Sequence, residues 1–169
     1  MIIGFTGYKQ SGKSTASAYI QEKTGAVRVN FKDALIAEVA QNFPTLLAEI
    51  AKVTGSKDLF TEKPPLMRAL LQEYGTEVRR CDNPNYWVDK WLAAAGEYPN
   101  VVVDDVRFLN EAKAVKDMGG MIVRIVRNDI VSTDSHSSET EMEQILVDHT
   151  IIVNKGDFEG LYRALSVFV

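Results

Sequence analysis

The sequence predicts a parallel α/β sheet covered by helices, and three observations predict it. Short β-rich apolar runs alternate with longer segments of helical period, as expected of strands joined by crossover helices. The run Val101-Val102-Val103 has no polar residue among its apolar ones, which suits a strand covered on both faces and places it deep in the sheet. Residues 32–95 show helical patterns alone and read as one helical insertion between the second and third strands.

In chain order, strands are expected at residues 1–6, 26–29, 100–104, 121–126 and 150–153. Helices are expected at 14–23 and 111–118, and Phe158, Leu161, Tyr162 and Leu165 fall at helical spacing in a final helix, where the stripe is assigned to the core. Within the insertion the breaks are Pro44, Gly55, Pro64-Pro65 and Asn83-Pro84, and the weak periodicity over 53–65 reads as a mobile connection inside a single domain spanning 1–169. Open α/β sheets bind ligands at the carboxyl ends of their strands, so such an insertion is placed to cover a substrate.

Composition narrows the class. A chain of 169 residues with 46% hydrophobic and 25% charged residues is an ordinary globule, which excludes disorder, collagen and coiled coil as whole-chain descriptions. Nineteen basic against 23 acidic residues give a net charge of -4, so no global field exists to hold a nucleic-acid polymer. Cys81 is the only cysteine, which rules out an intrachain disulfide or a paired-cysteine metal site and fits a reducing cytoplasm. The opening residues lack the basic region and length of a signal peptide, and no run approaches the roughly 18 apolar residues of a membrane span. A cytoplasmic location without a membrane partner is expected.

The chemistry starts at Gly7-Tyr8-Lys9-Gln10-Ser11-Gly12-Lys13-Ser14, which fits G-x-x-x-x-G-K-[ST] between an apolar strand and a helical segment, the context this phosphate-binding motif requires. Glycines let backbone N–H groups curl around phosphate oxygens, the helix N-terminus adds partial positive charge, and the lysine reaches the outer phosphates. Ser14 would then hold Mg²⁺. The Val101 strand ends in Asp104-Asp105, where one carboxylate serves either the nucleotide's metal or substrate, or simply caps the helix that follows.

Transfer between two phosphate-bearing substrates needs cations to neutralise the charge spread over the transferred group. Arg68, Arg79, Arg80, Arg107, Arg124 and Arg127 are the candidates. Arg107 follows the Asp104-Asp105 strand end and Arg127 the strand at 121–126, so both are expected at the ligand edge, whereas Arg124 sits inside its strand. The polar segment after Arg127 contains His136, read either as a loop-orienting or phosphate-touching residue or as a surface histidine, and Ser138-x-x-Glu141 fits a capping box. Asn154-Lys155-Gly156-Asp157 matches the guanine-reading N-K-x-D pattern, but no D-x-x-G follows the Val101 strand, which argues against a GTPase switch.

These pieces, with Asn30-Phe31-Lys32-Asp33-Ala34-Leu35, the stretch from Leu71 through Thr76-Glu77 to Trp87-Val88, Asp105-Val106-Arg107-Phe108-Leu109-Asn110-Glu111 and His136-Ser137-Ser138-Glu139, resemble the deoxynucleoside monophosphate kinases of tailed bacteriophages over nearly the whole chain. The resemblance implies a three-layer P-loop NTPase fold with a five-stranded parallel sheet, a helical insertion covering the acceptor and a short lid at 127–139. It implies transfer of the ATP γ-phosphoryl group to a deoxynucleoside 5′-monophosphate, with Mg²⁺, by a monomer or homodimer. On it, Gly7, Lys9, Ser11, Gly12, Lys13, Ser14 and Thr15 hold ATP, Asn154 and Gly156 belong to an adenine-side loop, and Ser14 and Asp105 serve the metal. Arg68, Gln72, Gly75, Thr76 and Trp87 would line the acceptor pocket, Trp87 either stacking on a base or packing among helices. Asp105, Arg107 and Glu111 would fix the acceptor, Arg127 would neutralise phosphates from the lid, and His136 is placed with the acceptor set. Ala69 stands where parts of the family carry a basic residue, and Gln72 where an acid occurs, which leaves base preference open. A kinase for another small acceptor, such as dephospho-coenzyme A, or a non-catalytic ATP-binding module are the alternatives.

Overall fold

The computed structural model describes residues 1–130 and 141–169, which form two compact units: Met1–Phe31 with Trp91–Val169, and Lys32–Lys90. The first unit holds five parallel strands, β1 (Ile2–Thr6), β2 (Val27–Arg28), β3 (Val101–Val103), β4 (Met121–Arg127) and β5 (His149–Val153), in the order β2-β3-β1-β4-β5. The middle strand is therefore β1, and β3 lies second from the edge. Val101, Val102 and Val103 are nevertheless wholly buried. β3 is flanked by β1 on one side and β2 on the other, and α1 (Lys13–Thr24) covers Val102 from one face.

On that face, α1 and α8 (Phe158–Leu165) pack Ala16, Ile20, Leu161 and Leu165 against Ile3, Phe5, Val102, Val123 and Ile125. The final helix differs from the expected stripe: Leu161 and Leu165 are buried, but Phe158 is 56% and Tyr162 37% exposed. Tyr162 stacks flat on Tyr19 of α1, with centroids 4.9 Å apart, so two tyrosines close the outer seam while the leucines fill the inner one. Helix α7 (Leu109–Asp117) carries the other buried stripe, Ala112 and Val115.

The second unit is helical. Its elements are α2 (Phe31–Asn42), which begins one residue before it, α3 (Pro44–Thr54), α4 (Leu59–Glu62), α5 (Pro65–Gln72), a π-helical stretch Glu73–Arg80, and α6 (Tyr86–Ala95), which continues beyond it. Pro44 and Pro65 open α3 and α5, where a missing N–H costs nothing. The 53–65 stretch, expected as a connection, contains the short α4, because the Asp58 carboxylate accepts from the N–H groups of Phe60 and Thr61. The core of this unit is Val39, Ile50, Leu59, Met67, Tyr74 and Trp87.

Asp148 joins three elements of the sheet unit. Its carboxylate accepts from the Ile122 N–H at 2.7 Å and from Lys116 Nζ at 2.7 Å, while its own N–H donates to the Ile122 carbonyl. The Ile122 bond first, and Lys116 second, hold its carboxyl below the usual carboxylate range. A lowered folded-state pKa stabilises above the unfolded value of about 4 and loses that contribution as pH falls through the folded value. The side chain is 37% exposed. Asp148→Asn should therefore cost only about 1 kcal/mol at neutral pH after solvent screening. Thermal unfolding of both proteins should show the gap at pH 7 narrowing as the acid side of pH 4 is reached.

Candidate active site

The phosphate loop is built by backbone geometry. Gly7 has φ +135° and Gly12 φ +109°, values that side chains disfavour, and a Cβ on Gly7 would run into the Ile125 carbonyl of β4. The chain thus reverses out of β1 directly into the N-terminus of α1, whose N-cap, Gly12, offers no side-chain acceptor. A helix N-terminus without a side-chain cap suits an anionic ligand. Lys13 is buried, with Nζ donating to the carbonyls of Gly7 at 2.6 Å and Tyr8 at 2.7 Å, while the buried Ser11 Oγ has no hydrogen-bond partner among the described residues. Ser14 is exposed, Thr15 half-buried and Lys9 exposed. A phosphate chain fits this cradle: it would satisfy Ser11 and draw Lys13 from the loop carbonyls.

The end of β3 lies beside the loop. The Val106 N–H donates to the Phe5 carbonyl at 3.3 Å, which draws the Asp105-Val106-Arg107 backbone against the end of β1. Asn30 Oδ1 accepts from the Asp104 N–H, and Asp105 Oδ1 accepts from the Phe31 N–H, both at 3.0 Å. Asp105 does cap a helix, but the helix is α2, not the one that follows it. The start of α7 is served by others: Glu111 Oε2 accepts from the N–H groups of Arg107 at 2.8 Å and Phe108 at 3.2 Å, and Glu141 accepts from Leu109. Glu111, read as an acceptor ligand, thus fixes the backbone that carries Arg107. Asp104 is buried, with Arg28 3.6 Å from its carboxylate.

Arg127 ends β4 and reaches the loop from the other side. Its Nη1 donates to the Gln10 carbonyl at 2.9 Å, and its Nε to Asp129 at 2.6 Å. That bond holds the Asp129 carboxyl below its ordinary range. Asn128 Nδ2 donates to Asn154 Oδ1 at 3.0 Å, which ties the root of the expected lid to the 154–157 loop, where Gly156 turns at φ +80°. Asp157, the match to the guanine-reading aspartate, caps α8 through the Gly160 N–H at 2.8 Å. Arg124 donates through Nη2 to the carbonyls of Met142 and Ile145, both at 2.9 Å, a structural use. His136 and most of the 127–139 lid lie outside the described residues.

The helical unit holds the remaining candidates. Arg68 and Gln72 are exposed on α5, Thr76 is half-buried, and Gly75 is buried where a Cβ would meet Leu35 at 2.9 Å. Trp87 is 2% exposed, and its Nε1 donates to the Gly75 carbonyl at 2.9 Å. The structure uses Trp87 in packing, as a support for the turn at Gly75. Arg79, one of the six candidate cations, is engaged by Glu38, Tyr74 and Tyr86. Sequence reasoning missed Glu38. The only trace of the cluster is Tyr74 and Arg79 five residues apart, a spacing that faces one side of a π-helix but not of an α-helix.

Because both N–H groups at the start of α7 point to one oxygen of Glu111, Glu111→Ala should destabilise by roughly 1–3 kcal/mol in urea unfolding. Glu111→Gln, which keeps an acceptor oxygen, should recover most of that loss.

The family model for deoxynucleotide monophosphate kinase matches residues 39–165. A protein of Acanthamoeba polyphaga mimivirus, provisionally named a deoxynucleotide monophosphate kinase, is 31% identical over 98% of this chain and 94% of its own length. The deoxynucleotide monophosphate kinase of Escherichia phage RB69 is 29% identical over 59% of this chain and 43% of its own. Among solved structures, shikimate kinase from Aquifex aeolicus (15% identity, 99% of this chain and 95% of that one, TM-score 0.52) and dephospho-CoA kinase from Campylobacter jejuni (14%, 99% and 94%, 0.52) share the fold. With a phosphate cradle at the end of the central strand and a family match across most of its length, the chain belongs to the deoxynucleotide monophosphate kinase family.

Proposed function

We propose that this protein transfers the γ-phosphoryl group of ATP to the 5′-phosphate of a deoxynucleoside monophosphate, giving the diphosphate and ADP. The observation that carries the proposal is the convergence of three strand ends on one phosphate cradle. β1 supplies the loop, β3 is drawn to β1 through Val106 and Phe5, and β4 brings Arg127 onto the Gln10 carbonyl.

The nucleophile is a phosphate oxygen that is already anionic, so the chain has little proton transfer to perform. Its work is positioning and charge neutralisation. The backbone of Gly7, Lys9, Ser11 and Gly12 cradles the phosphates, and Lys13 moves from the Gly7 and Tyr8 carbonyls to the β- and γ-oxygens. Thr15 lies in the first turn beside them, and Asn154 and Gly156 border the adenine. Ser14 and Asp105 would hold Mg²⁺, which when bound neutralises charge on the outer phosphates. Arg107 grips the acceptor phosphate from a backbone fixed by Glu111, and Arg127 exchanges the Gln10 carbonyl for phosphate oxygens. On the helical unit, Arg68, Gln72, Gly75 and Thr76 bind the acceptor, and Trp87 holds Gly75 in place. Substrates of both kinds are small molecules. Among the described residues no helix is long and apolar enough to cross a membrane.

An assay of ADP formation from Mg-ATP against the four common deoxynucleoside monophosphates, their ribose counterparts and dephospho-coenzyme A tests the reaction. Turnover should depend saturably on at least one deoxynucleotide; turnover with dephospho-coenzyme A alone, or with no acceptor, would overturn the proposal. Arg107→Ala should lose transfer by on the order of 10³ while ATP binding survives. Lys13→Ala should lose both transfer and tight ATP binding, measured by titration calorimetry.

A further inference from the structure

The helical unit contains a charged cluster unlike the rest of its apolar core. Glu38 of α2 is only 13% exposed, yet its carboxylate gathers groups from two other elements. The Tyr74 hydroxyl donates at 2.6 Å and Arg79 pairs with it from the π-helical stretch. From α6, the Tyr86 hydroxyl donates at 2.7 Å and Lys90 Nζ lies 3.9 Å away. Arg79 also donates through Nε to the Tyr74 oxygen at 3.0 Å. Its guanidinium lies 5.1 Å from the Tyr74 ring centroid and 4.9 Å from that of Tyr86.

Two features make this cluster more than core filling. A half-buried ion pair is a poor way to stabilise a helical core, since apolar side chains of similar volume do as well or better, whereas such a pair can enforce one geometry among several. The geometry enforced here is itself unusual: an eight-residue π-helical stretch, Glu73–Arg80, runs on from α5. π-helical turns are rare and concentrate where function needs a particular backbone shape. The stretch is gripped from two directions. Glu38 takes Tyr74 and Arg79, and Trp87 takes the Gly75 carbonyl from α6. Gly75, which Trp87 holds, and Thr76 lie between Tyr74 and Arg79, followed by Glu77 and Val78.

We infer that Glu38 is a positioning residue for the acceptor: through Tyr74, Tyr86 and Arg79 it holds the π-helical turn that presents Gly75 and Thr76. The inference rests on the reading of those two residues as acceptor ligands. Burial pushes the Glu38 carboxyl up, but the two tyrosine hydroxyls and Arg79 outweigh it and leave the group below its ordinary range, ionised at neutral pH. The grip therefore stays charged under the conditions of the assay.

Steady-state kinetics on the full chain test this with Glu38→Gln, Arg79→Lys and Tyr86→Phe. Asp58→Ala serves as a control, since it removes the α4 cap in the same unit and leaves the turn untouched. Glu38→Gln and Arg79→Lys should raise KM for the deoxynucleoside monophosphate by about tenfold or more, leaving KM for ATP within about twofold. Tyr86→Phe should show a smaller rise of the same kind. Asp58→Ala should lower the unfolding temperature without moving either KM. An unchanged acceptor KM in folded Glu38→Gln would overturn the inference, and so would an equal rise in Asp58→Ala, which would mean general loosening. Should Glu38→Gln fail to fold, Arg79→Lys and Tyr86→Phe decide by the same split. A wild-type protein without deoxynucleotide-dependent turnover would defeat the proposed reaction itself, an outcome separate from an active wild type whose variants show no split.

Discussion

The sheet unit depends on one steric constraint, the close approach of Gly7 to the Ile125 carbonyl of β4. Only a residue without a Cβ fits there at φ +135°, and only that fit lets the chain leave the central strand and enter α1 within a few residues. Since β1 has β3 on one side and β4 on the other, the reversal lies at the end of the central strand. The neighbouring strands then deliver side chains to a fixed place. Asp105 and Arg107 follow β3, and Arg127 terminates β4.

The same parts serve stability and chemistry with different atoms. Glu111 spends its carboxylate on the backbone N–H groups of Arg107 and Phe108, which leaves the arginine side chain set by a rigid helix start rather than by a free loop. Asp105 accepts from Phe31 and so ties the end of β3 to the start of α2. Lys13 donates to the Gly7 and Tyr8 carbonyls and Arg127 to the Gln10 carbonyl, neutral acceptors weaker than phosphate oxygens, while Arg127 also pairs with Asp129.

The helical unit follows a different logic. Its apolar cluster supplies bulk stability, and the Glu38 group with Trp87 supplies shape. Gly75 matters there for room rather than for a special dihedral angle, because Leu35 occupies the space a side chain would need. A long π-helical stretch persists only where its surroundings hold it, and here a carboxylate, a guanidinium, two phenols and an indole do so.

Much of this was legible in the sequence because local chemistry wrote it there. The phosphate loop needs glycines and a lysine at fixed spacing, the five strands and most helices follow from apolar period, and Pro44 and Pro64-Pro65 mark breaks, which the structure resolves as the starts of α3 and α5. What the sequence left open required neighbours from far along the chain. Val101–Val103 reads as central from composition, but strand order depends on which crossovers pack, and that places β1 in the middle. Phe158 and Tyr162 share the period of Leu161 and Leu165, yet only packing against α1 decides which pair is buried. Asp105 looks like a cap for the helix after it because spacing reports only local partners, whereas its bond to Phe31 spans 74 residues. The sequence by itself determined the phosphate-loop motif, the strand count and the family resemblance. Only the tertiary structure decided where the carboxylates of Glu38, Asp105 and Glu111 are spent, because a charged group's partners are chosen by proximity in space and not along the chain.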